Sequence, residues 1–325
     1  MKIAFFTESN FEGKISRDFD NMRTEYAWYV ALDSIHHPIV KLHTLDENMY
    51  DLGIVIIPKM NIEKISQYPM IKEMKRVCKR IGFMQEGPHW YFQDYPMEQQ
   101  IWFYNCLMEM DVIFAHNEAD VQYFKGLTEN ENVHQMKSLM ITDYLKKSEE
   151  KTNSVVIGGN MVRWYGGFDS YIVAQEFGRW DKDSVEMYAP SMGRKIQLED
   201  QLENVNHLPY MNWVDWVSNL SKFRYAVHLM PTHAAGTFAL NCAYWGIPCI
   251  GYRGLDTQEQ LHAHTTVDFG DLEAARGIAK LLTRQPQWYD NCSKWCKKNY
   301  EEKFSEKVFI KNMKNILEGV MNETN

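Results

Sequence analysis

The 325-residue sequence has no Cys-x-x-Cys pair, no proline-rich or Gly/Ser-rich tract, no excess of positive charge and no long apolar run at its start. Each absence excludes a class of protein. Six cysteines (Cys78, Cys106, Cys242, Cys249, Cys292, Cys296) are too sparse for a disulfide scaffold, and two of them lie in apolar runs, so all six read as reduced thiols. Cys292 and Cys296 have helical ligand spacing, but no nearby His or Cys pair completes a zinc set. Without low-complexity tracts, and with 45% apolar and 14% aromatic residues, the chain is expected to be ordered and globular. A net charge of −8 disfavours non-specific binding to nucleic acid or to an anionic membrane. The apolar "KIAFF" gives way at once to "TESN", too short for a signal peptide or a membrane span, so a cytoplasmic protein is expected.

What is present is alternation. The length favours about two domains. In the first half, "KIAFF", "IVKLH", "DLGIVIIP", "RIGFMQEG" and "DVIFAHN" read as strands. Between them, "NMRTEYAWYVAL" (21–32), "MIKEMKRVCK", "MEQQIWFYNCLMEM" and "EADVQYFKGL" read as helices. The charged "LKKSEEKTN" (145–153) breaks the pattern and sets the expected domains at 1–149 and 150–325. The second half restarts with "SVVIGG" and runs through "VEMYAP", "VNHLP", "YAVHLMP" and "IPCIGY", again with helices between. The last helix, "SEKVFIKNMKNILEGVM", is amphipathic and fits either lobe; it is counted with the second domain. Strands alternating with helices of this length specify parallel sheets, so the expected fold is α/β, with two doubly wound Rossmann-like domains facing a cleft.

Small residues mark the candidate sites. In "PTHAAGTFALNCAYWGIPCIG" (231–251), a loop of almost no side chain separates a strand from a short helix, where ligands bind in open α/β sheets. Amides around Ala235, Gly236 and Thr237 would point from a helix N-terminus toward a phosphate, with Thr237 as helix cap or phosphate ligand. An ordinary capped turn is the competing reading. Gly158 and Gly159, then Arg163, then Gly166 and Gly167 repeat the arrangement after an earlier strand, and a diphosphate suits both places. In the first half, "GFMQEGPHWYFQDYP" runs from a strand into Glu86 and His89 beside clustered aromatics. Such a site can stack a sugar face, and Glu86 or His89 can act as general base or orient the sugar; packed loop aromatics with a surface carboxylate are the plainer alternative. In "FAHNEAD" (114–120), capping by Asn117 explains the polar residues, and Glu8, Ser9, Asn10 and Arg17 are candidates for the acceptor side.

In this order of strands, glycines and basic loops the chain resembles the GT-B glycosyltransferases, especially the branch typified by the family 4 retaining enzymes. The resemblance implies transfer of a sugar from a nucleotide-diphosphate sugar to a hydroxyl acceptor, without metal or further cofactor. The second domain would bind the donor and the first the acceptor. By the same resemblance Arg163 neutralises the diphosphate, with Arg194 or Lys195 helping, and the backbone around His207, Pro209 and Tyr210 holds the base; a buried core tyrosine is the other reading of Tyr210. The chain departs from the family pattern twice. Asn241 stands where a glutamate binds the ribose, and His233 where an acidic residue contacts the sugar.

Rival readings fit less well. Asp18-Phe19-Asp20 and Asp181-Lys182-Asp183 lie in polar loops rather than after the early strand that a metal-dependent GT-A enzyme needs. "TESNFEG" does not supply a dinucleotide-binding glycine motif, and His262-Ala263-His264 lacks a third metal ligand. A nucleotide-sugar epimerase or a non-catalytic sugar- or nucleotide-binding protein keeps the fold, and a DNA-base glycosyltransferase is disfavoured by the acidic balance.

Overall fold

A computed structural model of the chain describes residues 1–58, 62–180, 185–190 and 199–322. Two compact units emerge: Met1–Phe19, Arg23–Ile141 and Glu306–Asn325 in the first, Asp20–Met22 and Thr142–Ser305 in the second. The charged run around 145–153 thus falls just inside the second unit.

The first unit is built on β1 (Ile3–Thr7), β2 (Ile35–Pro38), β3 (Tyr50–Ile56), β4 (Cys78–Met84), β5 (Val112–Ala115) and β6 (Val133–Gln135). All pair in parallel, in the order β2-β1-β3-β4-β5-β6. Its helices are α1 (Thr24–Ala31), α2 (Ile62–Ser66), α3 (Met70–Val77), α4 (Met97–Met108) and α5 (Glu118–Thr128). A parallel sheet is covered on both faces, which is why β1 and β5 are buried along their whole length and read as unbroken apolar runs. One expected strand is corrected: "IVKLH" is a 3-10 helix, Ile39–Thr44, and the strand beside β1 is "IHHP". The ladder ends at the pairing of Thr7 with Pro38, and Ile39 and Leu42, three apart, then share one buried face.

The second unit contains β7 (Ser154–Ile157), β8 (Glu186–Ala189), β9 (Val205–His207), β10 (Tyr225–His228), β11 (Cys249–Tyr252) and β12 (Thr266–Val267). They too are parallel, in the order β12-β11-β10-β7-β8-β9. Its helices are α6 (Gly167–Trp180), α7 (Trp213–Leu220), α8 (Thr237–Trp245), α9 (Asp256–Leu261), α10 (Leu272–Arg284) and α11 (Pro286–Lys303). The short edge strands β6 and β12 have too few residues to announce themselves in the sequence.

The last helix, α12 (Glu306–Asn322), lies with the first unit rather than the second. It buries Phe309, Met313, Leu317 and Val320, and it packs against α1. Glu306 in its first turn receives a forked pair from Arg17, Nη1 to Oε1 at 2.8 Å and Nη2 to Oε2 at 2.9 Å. Arg17 therefore fastens the returning helix, a role different from lining an acceptor site.

Candidate functional site

In the second sheet the chain leaves β7 in one direction through β8 and β9, and in the other through β10, β11 and β12. The carboxyl ends of β7 and β10 form the topological switch point, where the connections diverge and leave a crevice. Two loops occupy it, 158–167 after β7 and 229–236 after β10. Gly166, in the left-handed region at φ +60, fastens one to the other: a Cβ there would stand 1.8 Å from the Leu229 carbonyl oxygen. The Ser170 hydroxyl completes the clamp by donating to the Gly166 carbonyl and accepting from the Leu229 amide, both at 2.8 Å. Gly158 makes room for His228, since a Cβ would stand 2.6 Å from the ring, and Gly159 packs on Tyr165. Arg163 opens the 3-10 turn Arg163–Tyr165, exposed and without an ion pair among the described residues.

The second loop ends at Gly236, left-handed at φ +64. Its missing Cβ admits the Thr257 hydroxyl, which would lie only 2.1 Å away. Thr237 is the first residue of α8, so it does not serve as the cap, and no side chain caps this helix. The amides of Thr237 and Phe238 consequently have no acceptor among the described residues, and they carry the positive end of the helix dipole. Around them lie three buried polar atoms without partners: Asn241 Oδ1, Thr257 Oγ1 and His228 Nε2. Their residues are 3%, 2% and 9% exposed. Burying such atoms unpaired is costly, and a bound ligand with hydroxyl or phosphate groups would satisfy them. Burial pushes His228 down to about 4, so its ring is neutral at pH 7.

His262, the other buried imidazole here, is fully employed. It accepts from the Cys249 amide at 3.3 Å and bonds the Ala239 carbonyl at 2.9 Å, bracing α8 against β11. That occupation removes the His262-Ala263-His264 pair as a metal site. The His233 ring lies over Gly254, where a Cβ would come within 2.0 Å of Nε2, so it faces the segment joining β11 to α9. Beyond β9, Tyr210 is 73% exposed, which rules out a core role. Just before it, both ring nitrogens of His207 are buried without partners, as is Trp213 Nε1 at the start of α7. Arg194, Lys195 and Asp181-Lys182-Asp183 lie outside the described residues.

In the first unit, Glu86 and His89 share the segment after β4. The Gln85 side chain holds that segment by donating to the Gly87 carbonyl at 2.8 Å and accepting from the His116 amide at 3.0 Å. Tyr91 donates to the Ile57 carbonyl at 2.9 Å. His89 Nδ1 is 2.7 Å from Asp120 Oδ1 in the first turn of α5. Asn117 occupies the N-cap position of α5 but makes no side-chain cap; it donates Nδ2–H to Asp120 Oδ2 at 2.9 Å instead.

No family model and no curated protein matches the chain. Solved structures do. HepE from Anabaena, determined in complex with UDP-glucose, aligns over 98% of this chain and 100% of its own, with a TM-score of 0.71 at 10% identity. The sucrose-phosphate synthase of Thermosynechococcus elongatus aligns over 98% and 99%, with a TM-score of 0.70 at 10% identity. TarM aligns over 88% of this chain with a TM-score of 0.64 at 12% identity, and there the chain spans only 57% of the neighbour's length. These neighbours are GT-B glycosyltransferases. The chain has the GT-B fold.

Within this GT-B fold the second unit gathers Gly159, Gly236, Thr237 and Asn241 around the β7/β10 switch point, with Arg163 and His233 on its two loops. The first unit holds Glu86 and His89 at the end of β4. Four residues that the sequence did not single out complete the GT-B strand ends: Ser170, His228, Thr257 and Asp120. A histidine inside the apolar "YAVHLMP" was a signal for His228; the other three carry none, because Ser170 meets Leu229 59 residues away, Thr257 meets Gly236 21 away and Asp120 meets His89 31 away along the chain.

Proposed function

We propose that this protein is a glycosyltransferase moving a sugar from a nucleotide-diphosphate donor to a hydroxyl acceptor, with the second unit binding the donor and the first the acceptor. The observation that carries the reading is the set of unpartnered buried atoms on Asn241, Thr257 and His228 around an uncapped helix N-terminus at the switch point. A diphosphate fits the amides of Thr237 and Phe238, with Gly159 and Gly236 allowing close approach and Arg163 and Arg194 supplying charge. Asn241 is assigned to the ribose, His233 to the transferring sugar and Tyr210 to the nucleobase side. Breaking the anomeric bond leaves negative charge on the departing nucleotide, and fixed donors stabilise it without reorganising. The order of motifs in 154–252 favours the family 4-like branch. A UDP-sugar is the favoured donor class, since HepE is seen with UDP-glucose and pneumococcal GtfA with UDP and GlcNAc. The acceptor side falls to Glu86 and His89; among the described residues no helix is long and apolar enough to cross a membrane.

The test is thermal unfolding against a panel of nucleoside diphosphates and nucleotide sugars. A ligand at 100 times its Kd adds about 2.7 kcal/mol to stability and raises Tm. One nucleotide sugar is expected to do so selectively. Arg163→Ala is expected to leave the unliganded Tm unchanged and to weaken that ligand about tenfold, the loss of one charge-assisted contact. Unchanged affinity removes Arg163 from the site, and no shift with any nucleotide overturns the reading.

A further inference from the structure

One helix of the first unit is apolar on two sides. α4 turns Phe103, Cys106 and Leu107 inward, and Phe103 stacks on Phe92 with ring centroids 4.4 Å apart. On its outer side Met97, Ile101, Tyr104 and Met108 are 66%, 54%, 39% and 49% exposed. At about 100° per residue these four fall within an arc of about 60°, one row along the helix. Fifteen large apolar side chains are exposed among the described residues, and four of them share these twelve positions. Single exposed apolar residues are ordinary, whereas a continuous row marks a contact surface.

The spacing of the row identifies the partner. Its steps are four, three and four residues, which read the same in both directions. Turned end over end about a two-fold axis through its middle, the row falls on itself: Met97 meets Met108 of a second copy and Ile101 meets Tyr104, each contact occurring twice. The antiparallel arrangement also opposes the two helix dipoles. The polar flank agrees. Glu98, Asn105 and Glu109, all exposed, line one edge of the row. Glu109 is paired with Lys75 of α3, whereas Glu98 has no ion pair among the described residues. The two-fold keeps each flank on its own side, so Glu98 of one copy comes to the end of the row where Lys75 of the other stands. A lipid surface fits less well. Interfacial helices flank their apolar face with Lys and Arg, and this flank carries two glutamates on a chain of net charge −8.

We propose that α4 is a self-association surface through which two copies of this chain pair, antiparallel, about a two-fold axis. Each row presents roughly 400 Å², and with the flanks the pair buries about 1,200 Å², the lower bound of specific interfaces. The dimer is therefore reversible and concentration-dependent rather than permanent. It stands apart from the glycosyl-transfer reading, and neither needs the other.

Two measurements test it. In sedimentation equilibrium of the whole chain the weight-average mass is expected to rise from 38.4 kDa toward twice that value as the concentration is raised from about 1 to about 100 μM, the span expected of an interface this small. Ile101→Glu should keep the wild-type Tm, because the side chain is exposed, and weaken association at least about 100-fold. The second measurement reads the register. All six native cysteines are buried, so thiols introduced on the row react alone. With oxidised glutathione, a mixture of Met97→Cys and Met108→Cys chains is expected to form a disulfide between positions 97 and 108. Neither variant should do so by itself, since like positions of the two copies stand about 16 Å apart along the helix axis, beyond the reach of a disulfide. A mass that stays at 38.4 kDa throughout overturns the proposal. So does a dimer that Ile101→Glu leaves intact, which would lie on another face, or equal linking within either single variant, which would exclude the antiparallel register. Cosedimentation with phosphatidylcholine vesicles, lost in Ile101→Glu and unaccompanied by any rise in mass, would make the row a lipid contact and overturn it as well.

Discussion

In the first unit, Thr7 is tied to His36, His37 to Tyr50, Gln85 to the backbone on both sides, and Asp120 to His89 and Asn117. In the second, Asn241, Thr257, His228, His207 and Trp213 each keep a buried polar atom without a partner. Both units are parallel sheets wound on both faces, so the difference does not come from the architecture. Satisfied networks hold side chains in place. Unsatisfied buried atoms mark hydrogen bonds that the protein leaves for a ligand.

Acid should break the comparison most severely. Burial pushes His228 and His262 down to about 4, with the Ala239 carbonyl bond opposing it at His262. The unfolded chain takes up these protons near the ordinary value of 6.5, so stability is complete above that value and is lost as the pH falls toward 4. The loss is about 3 kcal/mol for each ring. In the first unit burial moves His36 downward as well, and the bond to the Phe11 carbonyl opposes it. Hydrogen exchange between pH 7 and 4.5 should show β7 and β10 deprotected before β1 and β3, with His228→Gln flattening the dependence. Earlier opening of β1 and β3 would contradict the contrast.

Gly166→Val follows in size. Its side chain would have to displace the Leu229 carbonyl from a left-handed position, at a cost of roughly 3 kcal/mol or more. Calorimetry should show the transition of the second unit moving down and that of the first unmoved; an unchanged thermogram would mean that the two loops are not clamped together. The smallest effect sharpens the contrast. Gly236→Ala should weaken nucleotide binding at least about tenfold, near 1.4 kcal/mol. Adding Thr257→Ala should recover stability, by removing the 2.1 Å clash, without recovering affinity. Recovery of both would make this turn purely structural.

The apolar strands were legible because parallel sheets bury both faces, and the two sites lie on segments already marked by small residues and by "QEGPH". "IVKLH" was misleading because apolar residues three apart also serve a 3-10 turn, and the choice was made by where the ladder with β1 ends. Asn117 looked like a cap and instead orients Asp120. The terminal helix could have packed on either unit; Arg17 and the α1 face placed it with the first.

By itself, then, the sequence determined two α/β units and the strand ends at which chemistry can occur, since periodicity and glycine placement act within a few residues. Tertiary structure alone decided that His89 meets Asp120 across 31 residues, that Gly236 admits Thr257, and that His228 lies behind Gly158. Those meetings depend on which strands become neighbours. Strand order is set by the packing of whole helices on the sheets, and no local pattern encodes it.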